Sequence, residues 1–135
     1  MSSARRMTRS VKIFCGTWNM GNAKGELIDS FLPAKGGDYD IIVVGLQEST
    51  YTVEYAADDD VRRSISEKMA YEQSIKDLSR DFCSILGSNF FIVEHARRAQ
   101  LQLFIFAKLS LKSFISHIEK SAENTGFLHI FPNKV

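Results

Sequence analysis

The chain has 135 residues, 44% of them hydrophobic, and a formal net charge of +1. That length suits one domain or one piece of a larger one, and so small a net charge gives no global field to draw duplex nucleic acid or an anionic membrane. No apolar run approaches the roughly 20 residues of a membrane-crossing helix, and two cysteines, Cys15 and Cys83, are too few for a disulfide framework or a thiolate metal cluster.

Residues 1–10, MSSARRMTRS, are basic and polar with no apolar core, so they read as a disordered tail and not as a secretory signal. Val11 to Cys15 reads as a strand. It runs into Gly16, Thr17, the chain's only tryptophan at Trp18, and Asn19. Residues 26–32 predict a short helix, stopped by Pro33 and released through KGGD at 35–38. The β-branched run YDIIVVGLQE, 39–48, predicts a strand covered on both faces. Residues 49–66 are polar, and the triplet Asp58-Asp59-Asp60 lacks calcium-loop spacing, so this stretch reads as a solvated loop.

Residues 67–86 carry the strongest helical pattern. Tyr71, Ile75, Leu78, Phe82, Ile85 and Leu86 fall on one stripe, with Ser66 as N-cap and Gly87 as the stop. Phe90–Glu94 and Leu101–Ala107 read as strands joined by a basic turn holding Arg97 and Arg98. Leu111–Ile115 reads as a helical turn, and 117–120 and 127–131 as extended. Cys15 lies in an apolar strand run and Cys83 in a helical one, which predicts two buried thiols in a reducing compartment. His95, His117 and His129 have no metal-ligand spacing and read as structural. Strands with one long helix give an α/β or α+β class with a largely buried sheet.

Two strand ends share a feature. The first delivers Asn19, the second Gln47 and Glu48. If the strands are parallel neighbours, two amides and a carboxylate meet at one sheet edge, where layered α/β proteins hold ligands. One carboxylate among neutral oxygens suits Mg²⁺, which keeps several waters. A hydrogen-bonded pair closing the sheet would use the same residues.

At these residues the sequence resembles a family. FCGTWNMG (14–21), DIIVVGLQE (40–48) and ISHIEKSAENTGFLHIFPNK (115–134) resemble the first half of an inositol polyphosphate 5-phosphatase catalytic domain. The resemblance covers residues 11–134, and the pairing of GTWN with LQE in this order is its specific part. It implies a partial four-layer α/β sandwich of the DNase I-like kind: a mixed β-sheet with one long helix, residues 11–135 being the N-terminal portion of the domain. It implies that Asn19 and Glu48 are catalytic and hold Mg²⁺, and that Asn133 and Lys134 contact substrate phosphate. The implied substrate is a phosphoinositide lipid or a soluble inositol phosphate, met in the cytoplasm or by peripheral contact at a membrane's cytoplasmic face. No nucleic-acid partner is implied. Trp18 would be the buried wedge that fixes the turn carrying Asn19, packed on the 41–46 strand or the 67–86 helix.

The chain also departs from the family's pattern. Pro132 and Val135 stand where glycine is usual, Gln102 where a basic residue is frequent, and Thr125 where a small cysteine is common. The SDH and CDR motifs of the second half, which supply the histidine and aspartate that orient water, do not occur. The expectation is a chain with little activity by itself. Two other readings stay open: another Mg²⁺-dependent enzyme of the same fold, and a non-catalytic module binding inositol phosphates or a protein.

Overall fold

The computed structural model describes residues 10–21, 28–49, 60–98 and 100–122. Its centre is a four-stranded mixed sheet of β1 (Ile13–Asn19), β2 (Ile41–Gln47), β3 (Phe90–Arg98) and β4 (Leu101–Lys108), in the spatial order β1-β2-β4-β3. β1 and β2 are parallel neighbours, and β4 runs antiparallel to both β2 and β3. Two helices, α1 (Ile28–Phe31) and α2 (Asp60–Leu86), precede β2 and β3.

Alternation along the strands decides what is buried. Ile42, Val44 and Leu46 of β2 and Phe104 and Phe106 of β4 point to one face and are almost fully buried. There they meet Leu78, Phe82 and Leu86 of α2, spaced four residues apart on one side of the helix. Phe82 sits edge-on to both Phe104 (5.2 Å between centroids) and Phe106 (5.9 Å).

The opposite face differs from expectation. β2 alternates buried and half-buried residues, so among the described residues only one of its faces is fully covered. On the other face Ile13 is 53% and Leu103 40% exposed, while Ala107, at the same end as Ile13 and two strands away, is buried. Cys15 shares that face and is exposed, as is Cys83 on the outer side of α2, so the expected burial of both thiols is corrected. One period-2 step moves Cys15 away from the helices, whatever the apolar character of its run.

α2 begins at Asp60, six residues ahead of the expected cap at Ser66. No proline or glycine lies between 60 and 86, so nothing stops the helix at Ser66. Its end is as read: Gly87 adopts φ +79°, and its N–H donates to the Cys83 carbonyl at 2.9 Å. Leu109–Phe114 forms a 3₁₀ turn, whereas 117–120 contains no strand. The tail at 1–9, most of the acidic triplet and the 127–131 stretch lie outside the described residues.

Two details fix the sheet. Gly36, in the 3₁₀ turn Ala34–Gly36, has φ +75°, and a Cβ there would lie 2.2 Å from the Phe90 ring. Only glycine permits both the backbone and the contact. At the start of the parallel pair, Asp40 accepts the Lys12 N–H at 3.0 Å and the Lys108 ammonium at 3.3 Å, tying β1, β2 and β4 together.

Candidate functional site at the β1 and β2 ends

β1 and β2 end side by side, with Asn19 in register with Gln47. β4 starts at this same end, so Gln100 and Gln102 reach it as well. The Met20 N–H donates to the Gln47 carbonyl at 2.8 Å, extending the pairing by one step, and the Met20 side chain enters the core.

The juxtaposition of Trp18 and Asn19 follows from the pleat. Trp18 pairs with Leu46 on the helix-covered face. Asn19, one residue on, belongs to the other face and is exposed. The Trp18 ring packs 5.7 Å from Phe31 of α1 and is half-buried, less than expected. Besides Phe31 it packs against the core cluster, which includes Leu46 of the 41–46 strand, its partner in register. Gly16 makes this arrangement fit: a Cβ there would come 2.7 Å from Phe31, whose ring lies between Phe14 and Trp18. The Asn19 side-chain oxygen accepts the Gly21 N–H at 2.9 Å, an Asx-type turn that holds the amide at the strand end.

Glu48 follows β2 directly with φ +48°, a left-handed conformation that costs a non-glycine residue roughly 1–2 kcal/mol. Its neighbours are fixed on both sides. Gln47 is held by Met20. Ser49 donates its N–H to the Gln100 carbonyl at 3.2 Å and its hydroxyl to the same oxygen at 3.1 Å. The Gln102 amide nitrogen donates to the Ser49 hydroxyl at 3.0 Å and to its carbonyl at 3.4 Å. The Gln102 oxygen faces His95 Nε2 at 3.0 Å, and the imidazole stacks on Phe104 with centroids 4.1 Å apart.

Since the Ser49 carbonyl can only accept, the Gln102 nitrogen must face it. That leaves the Gln102 oxygen for His95, which therefore carries its proton on Nε2. Burial holds the imidazole below the ordinary histidine range. On the far side of His95, its own N–H and the Lys120 ammonium hold the Glu94 carboxyl below the usual carboxylate range.

Sequence reasoning missed this network. A signal was present: Gln102 falls in phase with Phe104 and Phe106 in LQLFIFA, where an apolar residue is expected. The part played by His95 had no signal. β3 shifts register between Ile92 and Glu94, a bulge that reverses the facing of every later residue. It turns His95 and Arg97 toward α2, where Arg97 pairs with Glu72 at 2.8 Å.

A groove of about 520 Å³ opens there, lined by Glu72, Ile75, His95, Arg97, Lys120 and Ser121. It lies between α2 and the end of β3, separated from the β1 and β2 ends by β4, and its charges are spent on ion pairs, Arg97 with Glu72 and Lys120 with Glu94. The chemistry-bearing amides and carboxylate are elsewhere.

Asn133, Lys134 and His129 lie outside the described residues. Among the described residues no group of three or more His, Cys, Asp or Glu side chains converges as a metal cluster. What the strand ends offer among the described residues is one carboxylate, Glu48, next in sequence to Gln47, which is itself in register with Asn19. This donor set fits Mg²⁺, which is satisfied by one or two carboxylates, neutral oxygens and water, and fits zinc poorly.

Residues 16–135 match the family described as Endonuclease/Exonuclease/phosphatase family 2. The chain belongs to that family. Among solved structures it is similar to the inositol polyphosphate 5-phosphatase domain of SPsynaptojanin, a structure in complex with inositol (1,4)-bisphosphate and calcium ion, with TM-score 0.53 and 26% identity. The likeness covers 86% of this chain and 32% of that one, so this chain spans about a third of the neighbour's length. No curated protein matches the sequence. The mixed four-stranded sheet is therefore part of the DNase I-like fold of the endonuclease/exonuclease/phosphatase superfamily, in its inositol 5-phosphatase-like form.

Proposed function

We propose that this chain carries the metal-binding half of an inositol polyphosphate 5-phosphatase site, acting on the 5-phosphate of a soluble inositol phosphate or a phosphoinositide. The observation that carries the reading is the parallel β1–β2 pair, which sets Asn19 beside Gln47 with Glu48 next in sequence, in a chain of this superfamily. Glu48 is the anionic ligand for Mg²⁺, and the Asn19 amide is its neutral companion. Bound there, a divalent cation supplies charge neutralisation at a phosphate ester. The protein's own contribution is placement. The Gly21 N–H orients the Asn19 amide, and the bonds at Gln47 and Ser49 hold the Glu48 backbone from both sides.

The same proposal assigns substrate phosphate to Asn133 and Lys134 and places the protein on the cytoplasmic side. No helix among the described residues is long and apolar enough to cross a membrane. Contact with a lipid substrate has to come from the Asn19–Glu48 end. The exposed Leu109 and Phe114 follow β4 at the opposite end of the sheet and would turn the site away from a bilayer.

Mn²⁺ titrated into isotope-labelled protein tests the reading by paramagnetic line broadening. The amides of Asn19, Met20, Gln47 and Ser49 are expected to broaden first, and Glu48→Gln is expected to abolish that selectivity with folding unchanged. Broadening centred on Asp38 and Asp40, or selectivity that survives Glu48→Gln, would place the cation elsewhere.

A further inference from the structure

We propose that Gln102 is a positioning residue for the Glu48 site, acting through Ser49. The proposal rests on the reading of Glu48 as a ligand and adds what holds it in place. Gln102 (3% exposed) and Ser49 (2%) are the buried polar residues among those described, and they touch each other. Both belong to one short network, and it ends at the residue after Glu48.

A sheet has no general need for this. Gln102 sits in the phase of Phe104 and Phe106, on the face that packs beneath α2. An apolar side chain of similar size would avoid the cost of burying an amide, which is compensated only if every polar atom is bonded. Here the compensation is specific: the nitrogen is taken by Ser49 and the oxygen by His95.

The consequence lies at Glu48. A left-handed non-glycine residue persists only where its surroundings over-determine it. Upstream the anchor is backbone, Met20 to Gln47. Downstream the backbone anchor is one bond, from Ser49 N–H to the Gln100 carbonyl, and Gln102 reinforces it by bonding both the hydroxyl and the carbonyl of Ser49. His95, stacked on Phe104, keeps the Gln102 amide from flipping. The core under α2 is thereby connected to the direction in which Glu48 leaves the strand.

Gln102→Met keeps the volume and removes the two bonds to Ser49 and the one to His95. Its urea unfolding midpoint is expected to fall modestly, because the Ser49 carbonyl and His95 Nε2 lose their partner. The Ser49 amide is expected to exchange with solvent at least about tenfold faster, beyond what the lower global stability accounts for, while Val44 and Phe104 stay protected. Mn²⁺ affinity is expected to fall by about tenfold to a hundredfold, the range seen when a group supporting a metal ligand is lost. An unchanged Ser49 exchange rate, or an affinity loss that merely follows global stability, overturns the proposal.

A measurement on the unsubstituted chain decides the matter if the variant fails to fold. The Gln102 side-chain amide protons should exchange far more slowly than those of Gln73 on the exposed side of α2, and equal rates overturn the clamp. If the unsubstituted chain does not bind Mn²⁺, the reading of Glu48 as a ligand fails, and Ser49 exchange still decides whether Gln102 holds the loop.

Discussion

Replacing Phe82 by alanine is expected to lower the unfolding free energy by about 3–5 kcal/mol, read from urea unfolding at constant m-value. Phe82 has no exposed surface. Its ring meets Phe104 and Phe106 edge-on, while those two lie parallel to each other at 6.0 Å, so three aromatic rings form one block between α2 and β4. Leu78 and Leu86 flank Phe82 one turn away on either side and are equally buried. The site cannot collapse easily, because the sheet below is held by hydrogen bonds to β2 and β3 and the helix above by its own neighbours. Much of the vacated volume stays empty. Trp18→Ala should cost less, roughly 2 kcal/mol, because the indole is half-buried at the edge of the core and meets Phe31 of a four-residue helix. A Trp18 loss equal to or larger than the Phe82 loss would show that the core is centred on β1 and not on α2.

The parts of this architecture that were legible in the sequence are those set by local pattern. The β-branched run before Gln47 and the i, i+4 stripe of Leu78, Phe82 and Leu86 each point to one solution. The adjacency of Asn19 to the Gln47–Glu48 corner could be drawn as soon as both strands were seen to end in amides, and the parallel pairing of β1 with β2 is how the chain achieves it. What was not legible depends on non-local facts. The extra turns of α2 before Ser66 have no stop signal to mark them. The exposure of Cys15 depends on which face meets the helices, and that is decided by β2, β4 and α2 together. The direction of His95 depends on a bulge that leaves no mark in its own residue types. The Gln102–Ser49 pair joins residues 53 positions apart, so only tertiary structure brings it together.

Residues 1–135 by themselves are expected to release little or no phosphate from a 5-phosphorylated inositol phosphate supplied with Mg²⁺. Holding and polarising a phosphate is only part of phosphoryl transfer, which also needs the attacking water positioned in line with the leaving oxygen. The described residues at the Asn19–Glu48 end contain one carboxylate and no imidazole directed at it. His95 is turned to the helix-covered face and bonded to Gln102. His117 bonds to the neighbouring Ser116, in the segment after the 3₁₀ turn. Asp38 and Asp40 sit at the other end of the sheet, paired with Lys12 and Lys108. The part-covered sheet face tells in the same direction. Ile13 and Leu103 present apolar surface there, and such a face is sticky until another layer covers it. Purified chain assayed for phosphate release should therefore fall far below an ordinary enzyme's ~1 to 10³ turnovers per second, while still showing the Glu48-dependent Mn²⁺ broadening. Ordinary turnover abolished by Glu48→Ala would mean that the water-orienting groups lie within this chain.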